Sequence, residues 1–176
     1  RSYCPENQAG VAFADGRPPI VLHRNDRYED DHASIAQYSK ADADTWMELK
    51  KRAMDFGDML AIGIYNPPDP VTQAMQGELI EGMYSDMGIR AHYMTKTPKT
   101  VIDELFESEE MRILLYRASV EFGVALDQSD TGGQVLTSLP WQIGRWRMSL
   151  GGTHTLAKAL MQACYAAGVE LLENTM

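Results

Sequence analysis

A chain of 176 residues, 44% hydrophobic and 23% charged, is long enough for one domain with a buried core. Its formal net charge of −9 argues against a phosphate-backbone partner, so no nucleic acid is expected, and equally against attraction to a membrane surface through lysine and arginine. The two cysteines, Cys4 and Cys164, form no Cys-x-x-Cys pair and read as free thiols of a cytoplasmic protein rather than a secreted disulfide framework.

No stretch approaches the ~20 apolar residues that a membrane-spanning helix needs. The sequence starts at Arg1 and stops at Met176 in or just after an apparent strand, so both ends are expected to be cut rather than natural.

Taken in chain order, "AGVAFADGRPPIVLH" (9–23) predicts two strands, 10–14 and 19–23, around a turn at Asp15-Gly16. The acidic run "NDRYEDDHAS" (25–34) reads as a solvated loop or a first helical turn. Its Asp30, Asp31 and His32 lack the spacing that puts metal ligands on one face. "SKAD" (39–42) matches a capping box, and the helix after it, predicted over 41–62, buries Trp46, Leu49, Ala53, Phe56 and Leu60. Its charged residues Glu48, Lys50, Lys51 and Arg52 mostly fall elsewhere.

"YNPPDP" (65–70) ends that helix, and Asp69 with Pro70 is suited to start another carrying Met75, Leu79, Met83 and Met87. A further helix opens over Thr100 to Glu104. Ser108 caps the next, over 109–122, with Met111, Leu114, Leu115, Ala118 and Phe122 in one stripe and Gly123 as terminator. "DQSDTGGQ" reads as a loop, and "VLTSLPWQIG" is apolar but interrupted by Pro140. "RWRMSL" alternates and predicts a strand over 144–150.

The glycine pair Gly151-Gly152 then leads into a helix over 153–167 with the stripe Leu156, Leu160, Ala163, Cys164 and Ala167, expected to be buried. Gly168 ends it, and a strand over 169–174 follows. The glycines serve either a sharp strand-to-helix turn or the approach of an anionic ligand to amides at the helix's positive end. A Walker loop is excluded, and Gly-x-Gly-x-x-Gly is absent from the whole sequence. The fold class expected from these elements is α+β: a small, mostly antiparallel sheet covered by several helices, closing with a strand–helix–strand unit.

"RWRMSLGGTHTLAKALMQACYAAGVELLENT" resembles a motif of the phytoene desaturase-like FAD-dependent oxidoreductases, within the flavin amine oxidase superfamily. Gly151, Gly152, Leu156, Ala157, Ala159, Leu160, Gly168 and Val169 stand in the family's places, while Thr153-His154 replace its usual methionine or similar residue. "FADGRPPIVLHRN" is similar to the family's hairpin. "IAQYSKADADTWMEL" is similar to its helix start, through Tyr38, Ser39, Asp42, Ala43 and Trp46, and "TVIDELFESEEMRILLYRASVEFG" to its next helices, with Phe106 to Arg112 as the shared turn.

The resemblance implies a substrate-binding domain (1–150) and a Gly-Gly helix and strand (151–176) that return to an FAD-binding domain carried on neighbouring polypeptide. It implies hydride transfer between flavin and carbon–carbon bonds of an apolar, polyene- or lipid-like small molecule, and it is compatible with peripheral membrane contact of the whole enzyme. Gly151, Gly152 and Thr153 become the cofactor-side candidates. Arg145, Trp146, Arg147 and His154 become the substrate-side candidates; Arg145 and Arg147 also suit pairing with carboxylates. No catalytic residue and no metal site stands out, and His23 and His92 suit surface positions. The alternative is a non-catalytic helical module that binds an apolar ligand or a protein partner.

Overall fold

The computed structural model describes residues 1–65, 70, 91–170 and 172. Its described elements make an α+β fold. Strands β1 (Ser2–Tyr3), β2 (Asn7–Val11) and β3 (Ile20–His23) precede helices α1 (Tyr28–Ala36) and α2 (Lys40–Tyr65). A short 3-10 turn (Ala91–Tyr93) leads to α3 (Pro98–Leu105), α4 (Glu109–Glu121), α5 (Gly133–Leu136) and α6 (Ser138–Gln142). Strand β4 (Met148–Ser149) and helix α7 (His154–Ala166) follow. The expected antiparallel pairing is divided between two ribbons, β2 with β3 and β1 with β4. The chain forms two compact units, Glu6–Arg145 and, separately, Arg1–Pro5 with Trp146–Met176.

In the larger unit the hairpin pairs Val11 with Ile20, Gly10 with Val21 and Ala9 with Leu22, and Asn7 meets His23 across a register shift. Gly16, at φ +85°, supplies the turn, as Asp15-Gly16 foretells, but β2 lies three residues earlier than the expected 10–14. The reason is visible at Phe13. Its ring leaves the ribbon to take the Arg17 guanidinium 4.5 Å from its centroid and to meet Tyr38 edge-on at 6.2 Å. Ile20 and Leu22 enter the core with Ile35, Trp46, Val101, Ile102, Phe106, Met111, Leu114 and Leu115.

The capping box of α2 is half present. Ser39 Oγ accepts the Asp42 amide at 3.1 Å, but the Asp42 carboxylate does not fold back. Buried, it accepts the amides of Glu107 at 2.8 Å and Ser108 at 2.9 Å, and the Ser108 hydroxyl donates to it as well. A side chain of α2 therefore caps the positive end of α4, where Ser108 was expected to serve alone. Gly123 closes α4 at φ +82°, with the Gly123 amide on Val120 O at 3.0 Å and the Val124 amide on Ser119 O at 2.9 Å.

Three readings of the sequence need correction. In the 25–34 run the helical alternative holds, since Glu29, Asp30 and Asp31 form the first turn of α1, but the run is not solvated throughout, because Asp31 is fully buried. Lys50 lies on the buried face of α2 with Trp46 and Ala53, not among its solvated charges. The strand expected over 144–150 is confined to Met148–Ser149: Gly144 adopts φ +110° and the Arg145 amide returns to Gln142 O at 3.2 Å, a turn that ends α6. Pro140 sits in the first turn of α6, where its missing amide costs nothing. Trp46, Leu49 and Ala53 are buried as expected, whereas the Phe56 and Leu60 side chains and the segment carrying Met75, Leu79, Met83 and Met87 lie outside the described residues.

Candidate functional site

The smaller unit contains the glycine pair. In its ribbon Tyr3 faces Met148 and Ser2 faces Ser149, and the Leu150 amide donates to Arg1 O at 3.0 Å. The chain then reverses through Gly151 at φ +83° and Gly152 at φ +86°, both in the left-handed region that favours glycine. A Cβ on Gly151 would press on Thr155 Cγ2 at 2.9 Å, whereas one on Gly152 would meet open space. Thr155 secures the turn, its hydroxyl donating to Gly152 O at 2.7 Å and reaching Leu150 O at 3.2 Å. Thr153 is the N-cap of α7 but makes no side-chain capping bond, and its amide and that of His154 have no acceptor among the described residues. Those donors stand at the positive end of a helix of 13 residues.

Helix α7 ends on Gly168 at φ +79°, with the Gly168 amide on Tyr165 O and the Val169 amide on Cys164 O, both at 3.0 Å. The expected stripe is present but not buried. Leu156 and Leu160 are each 60% exposed, Ala163 and Ala167 are exposed, and Cys164 is half-buried. None of this unit's described residues covers the face. Of the strand expected over 169–174, Val169, Glu170 and Leu172 are not in a strand, and the other residues lie outside the described ones.

The substrate-side candidates fall in both units. Trp146, Arg147 and His154 belong to the unit of the glycine pair and are exposed. Arg145 closes the larger unit, its guanidinium 5.5 Å from the Trp141 ring centroid. Burial raises the Tyr28 phenol above its ordinary range, while the nearby Arg145 charge opposes that rise.

A second constellation escaped the sequence reading. Asp31 Oδ2 accepts Lys50 Nζ at 2.5 Å, and Oδ1 accepts the His23 amide at 2.6 Å and lies 3.0 Å from His23 Nδ1. Lys50 Nζ also donates to His23 O at 3.2 Å and lies 5.2 Å from the Tyr28 ring centroid. Asp31 and Lys50 are fully buried, and the His23 side chain is only 12% exposed, so His23 is not the surface residue expected. With both carboxylate oxygens taken, the group clamps β3, α1 and α2 together. The signal available in the sequence was the spacing of Lys50, four residues after Trp46 and three before Ala53. Asp30 and His32 turn to Arg27 and Asp44, so the acidic run gathers no ligand set. Among the described residues no cluster of histidine, cysteine and carboxylate suits a metal ion, and no helix is long and apolar enough to cross a membrane.

Compared with known proteins, the chain matches no family model, no curated protein and no solved structure.

Proposed function

We propose that this chain forms the central, substrate-facing part of an FAD-dependent oxidoreductase acting on carbon–carbon bonds of an apolar, polyene- or lipid-like molecule. The observation that carries the reading is the junction at Gly151-Gly152: two left-handed glycines between a strand and a helix, and, among the described residues of the unit, uncommitted amides at the helix start and an apolar helix face without cover. It joins the order of motifs along the sequence that resembles the flavoprotein family.

The residues fit a limited flavin-side contact. The open space at Gly152 allows close approach of a ligand to the backbone, and the amides of Thr153 and His154 suit a polar or anionic group. They do not form a pyrophosphate cradle, because no Gly-x-Gly-x-x-Gly is present. The main hold on the cofactor therefore falls to polypeptide that carries that motif. When bound, the flavin supplies the hydride acceptor or donor. Gly151, Gly152 and Thr153 would meet its polar edge, while Trp146, Arg147 and His154 of the same unit would face the substrate side. The apolar face of α7 would pack on the flavin-binding polypeptide.

The 176 residues alone are expected to purify without the flavin absorbance near 450 nm, about the wavelength of free flavin. Joined to polypeptide bearing a Gly-x-Gly-x-x-Gly unit from the same gene, they are expected to give a yellow enzyme whose flavin is reduced by, or reduces, an apolar alkene. In that enzyme Gly152→Val should lower flavin occupancy. Flavin retained by these residues alone, or full occupancy in Gly152→Val, would overturn the reading. A non-catalytic module that uses the exposed face of α7 to hold a protein partner predicts instead a stable complex with no flavin in it.

A further inference from the structure

Every buried hydrophobic side chain of the described core, from Ile20 to Ile143, belongs to the larger unit. Among the described residues of the smaller unit none is buried, and Trp146, Met148, Leu150, Leu156, Leu160 and Tyr165 are exposed. Its elements are nonetheless regular. The β1–β4 ribbon has two pairs, and α7 runs for 13 residues.

Neither element is self-sufficient. A two-stranded ribbon is marginal in water. So is an isolated helix of fewer than about 12–15 residues, because its first turn must be ordered before hydrogen bonds offset the lost entropy. Burial of an apolar stripe normally supplies the rest, as it does in α4. Helix α4 also has local support. Glu109 and Glu110 lie in its first turn, the Asp42 carboxylate caps it, and Arg117 pairs with Glu121 one turn on. In α7 the first turn holds no acidic residue, the last turn no basic one, and Thr153 makes no side-chain cap. Alanine propensity writes the helix, the Thr155 hydroxyl pins its entry to Gly152 O, and Gly168 closes it. All of these are local and small.

We propose that α7, with the Gly151-Gly152 turn that leads into it, opens and re-forms in the intact protein while the larger unit stays folded. Local opening of this kind is expected wherever few apolar contacts back the backbone hydrogen bonds. The consequence reaches the candidate site. The amides of Thr153 and His154 stand at a helix's positive end only while α7 is formed, so a group held there and the helix stabilise each other. This consequence rests on the flavin reading: cover of α7 by flavin-binding polypeptide would close the element and set the amides together. The opening itself does not rest on it, because it is a property of the chain alone.

Trypsin reads the difference in the full chain. Arg117 in α4 and Lys158 in α7 are both exposed, each stands within a 13-residue helix, and each is followed by alanine. Cutting at either needs its helix to open. Lys158 is expected to be cut at least about a hundredfold faster than Arg117. Hydrogen exchange should agree, with α7 amides protected roughly tenfold or less and those of α4 about a thousandfold or more. Ala163→Gly, at an exposed position, should speed exchange in α7 by up to about fivefold, the difference in helix propensity, and leave the urea midpoint of the larger unit unchanged. Equal cutting at Lys158 and Arg117, α7 protection equal to that of α4, or a shifted midpoint in Ala163→Gly would each overturn the proposal. In the chain joined to flavin-binding polypeptide, cutting at Lys158 should slow at least about tenfold, with or without flavin. Fast cutting that persists there overturns the cover by that polypeptide, and the proposed function with it, while the independent opening of α7 stands.

Discussion

Helices α4 and α7 are a natural pair. Each has 13 residues, each carries an apolar stripe, and each stops at a left-handed glycine with the same two closing hydrogen bonds. Yet α4 buries Met111, Leu114, Leu115 and Ala118, while α7 buries nothing. Periodicity and capping residues are local and suffice to write a helix. What lies over the stripe is decided by other chain: in α4 by the hairpin and α3, and in α7 by none of the described residues of its own unit. An amphipathic helix read from sequence is therefore a statement about a face that wants cover, not about the cover.

The sharpest contrast between the units is their treatment of charge, and the largest effect is expected there. The larger unit encloses Lys50 against Asp31, whereas no buried charge appears among the described residues of the smaller one. Lys50→Met would leave a buried carboxylate with its backbone and imidazole donors but no cation. It should destabilise the larger unit by about 3–5 kcal/mol in urea unfolding. Pairing it with Asp31→Leu removes the stranded charge and should recover most of the loss. A Lys50→Met loss below about 1 kcal/mol would mean the clamp contributes little and that apolar packing alone defines this unit.

The two stripes can be compared directly. Leu115→Ala in α4 should cost about 2–5 kcal/mol, through lost burial and the cavity left behind. Leu160→Ala in α7 should stay within about 0.5 kcal/mol, because its side chain is 60% exposed and leaves no void. Equal costs would break the comparison. Joining the chain to flavin-binding polypeptide should sharpen it, since Leu160→Ala is then expected to become costly.

The parts of the fold legible in the sequence are those fixed by near neighbours. Gly16, Gly123 and Gly168 take the positive φ their turns require, and the ends of α4 and α7 fall within a residue of the expected limits. The illegible parts depend on distant partners. Nothing in "NDRYEDDHAS" reveals that Asp31 will meet Lys50, 19 positions on, nor does "SKAD" reveal that Asp42 will cap a helix 66 positions away. At the glycine pair the turn was readable, because glycine spacing encodes it. The exposure of Trp146, Met148 and Leu150 was not, because alternation marks a face without naming what it touches.

Asp42 offers a smaller, more local break. Its carboxylate satisfies two amides and a hydroxyl at the start of α4, so Asp42→Ala should cost about 2 kcal/mol, toward the upper end for a lost helix cap. Asp42→Asn, which keeps an acceptor, should cost less. Hydrogen exchange should quicken first at Arg112 and its neighbours in the first turn of α4. The exchange of α7 should not change, as its N-cap Thr153 makes no side-chain bond that could be lost.

The smallest expected effect is the response to acid, and it separates the units again. Hydrogen bonding to Arg17 lowers the Asp15 carboxyl, bonding to Arg24 lowers Asp26, bonding to Lys40 and then His32 lowers Asp44, and bonding to Lys96 lowers Glu104. All four belong to the larger unit. A carboxylate whose folded pKa lies below its unfolded value contributes stability that is complete above the unfolded value, about 4, and lost as pH falls through the folded one. The urea midpoint should therefore hold steady from neutrality to about pH 5 and decline below about pH 4. The decline should be shallow, since these pairs are exposed and screened by water and salt. Asp44→Asn removes one contributor and should lower the neutral plateau slightly and flatten the acid limb, so that the two proteins converge at low pH. Residue-resolved amide shifts should show the loss in the larger unit, while helix α7, with no carboxylate in it, keeps its helical signals over the same range; an acid-induced loss in α7 first would assign the sensitivity to the wrong unit and sink the comparison.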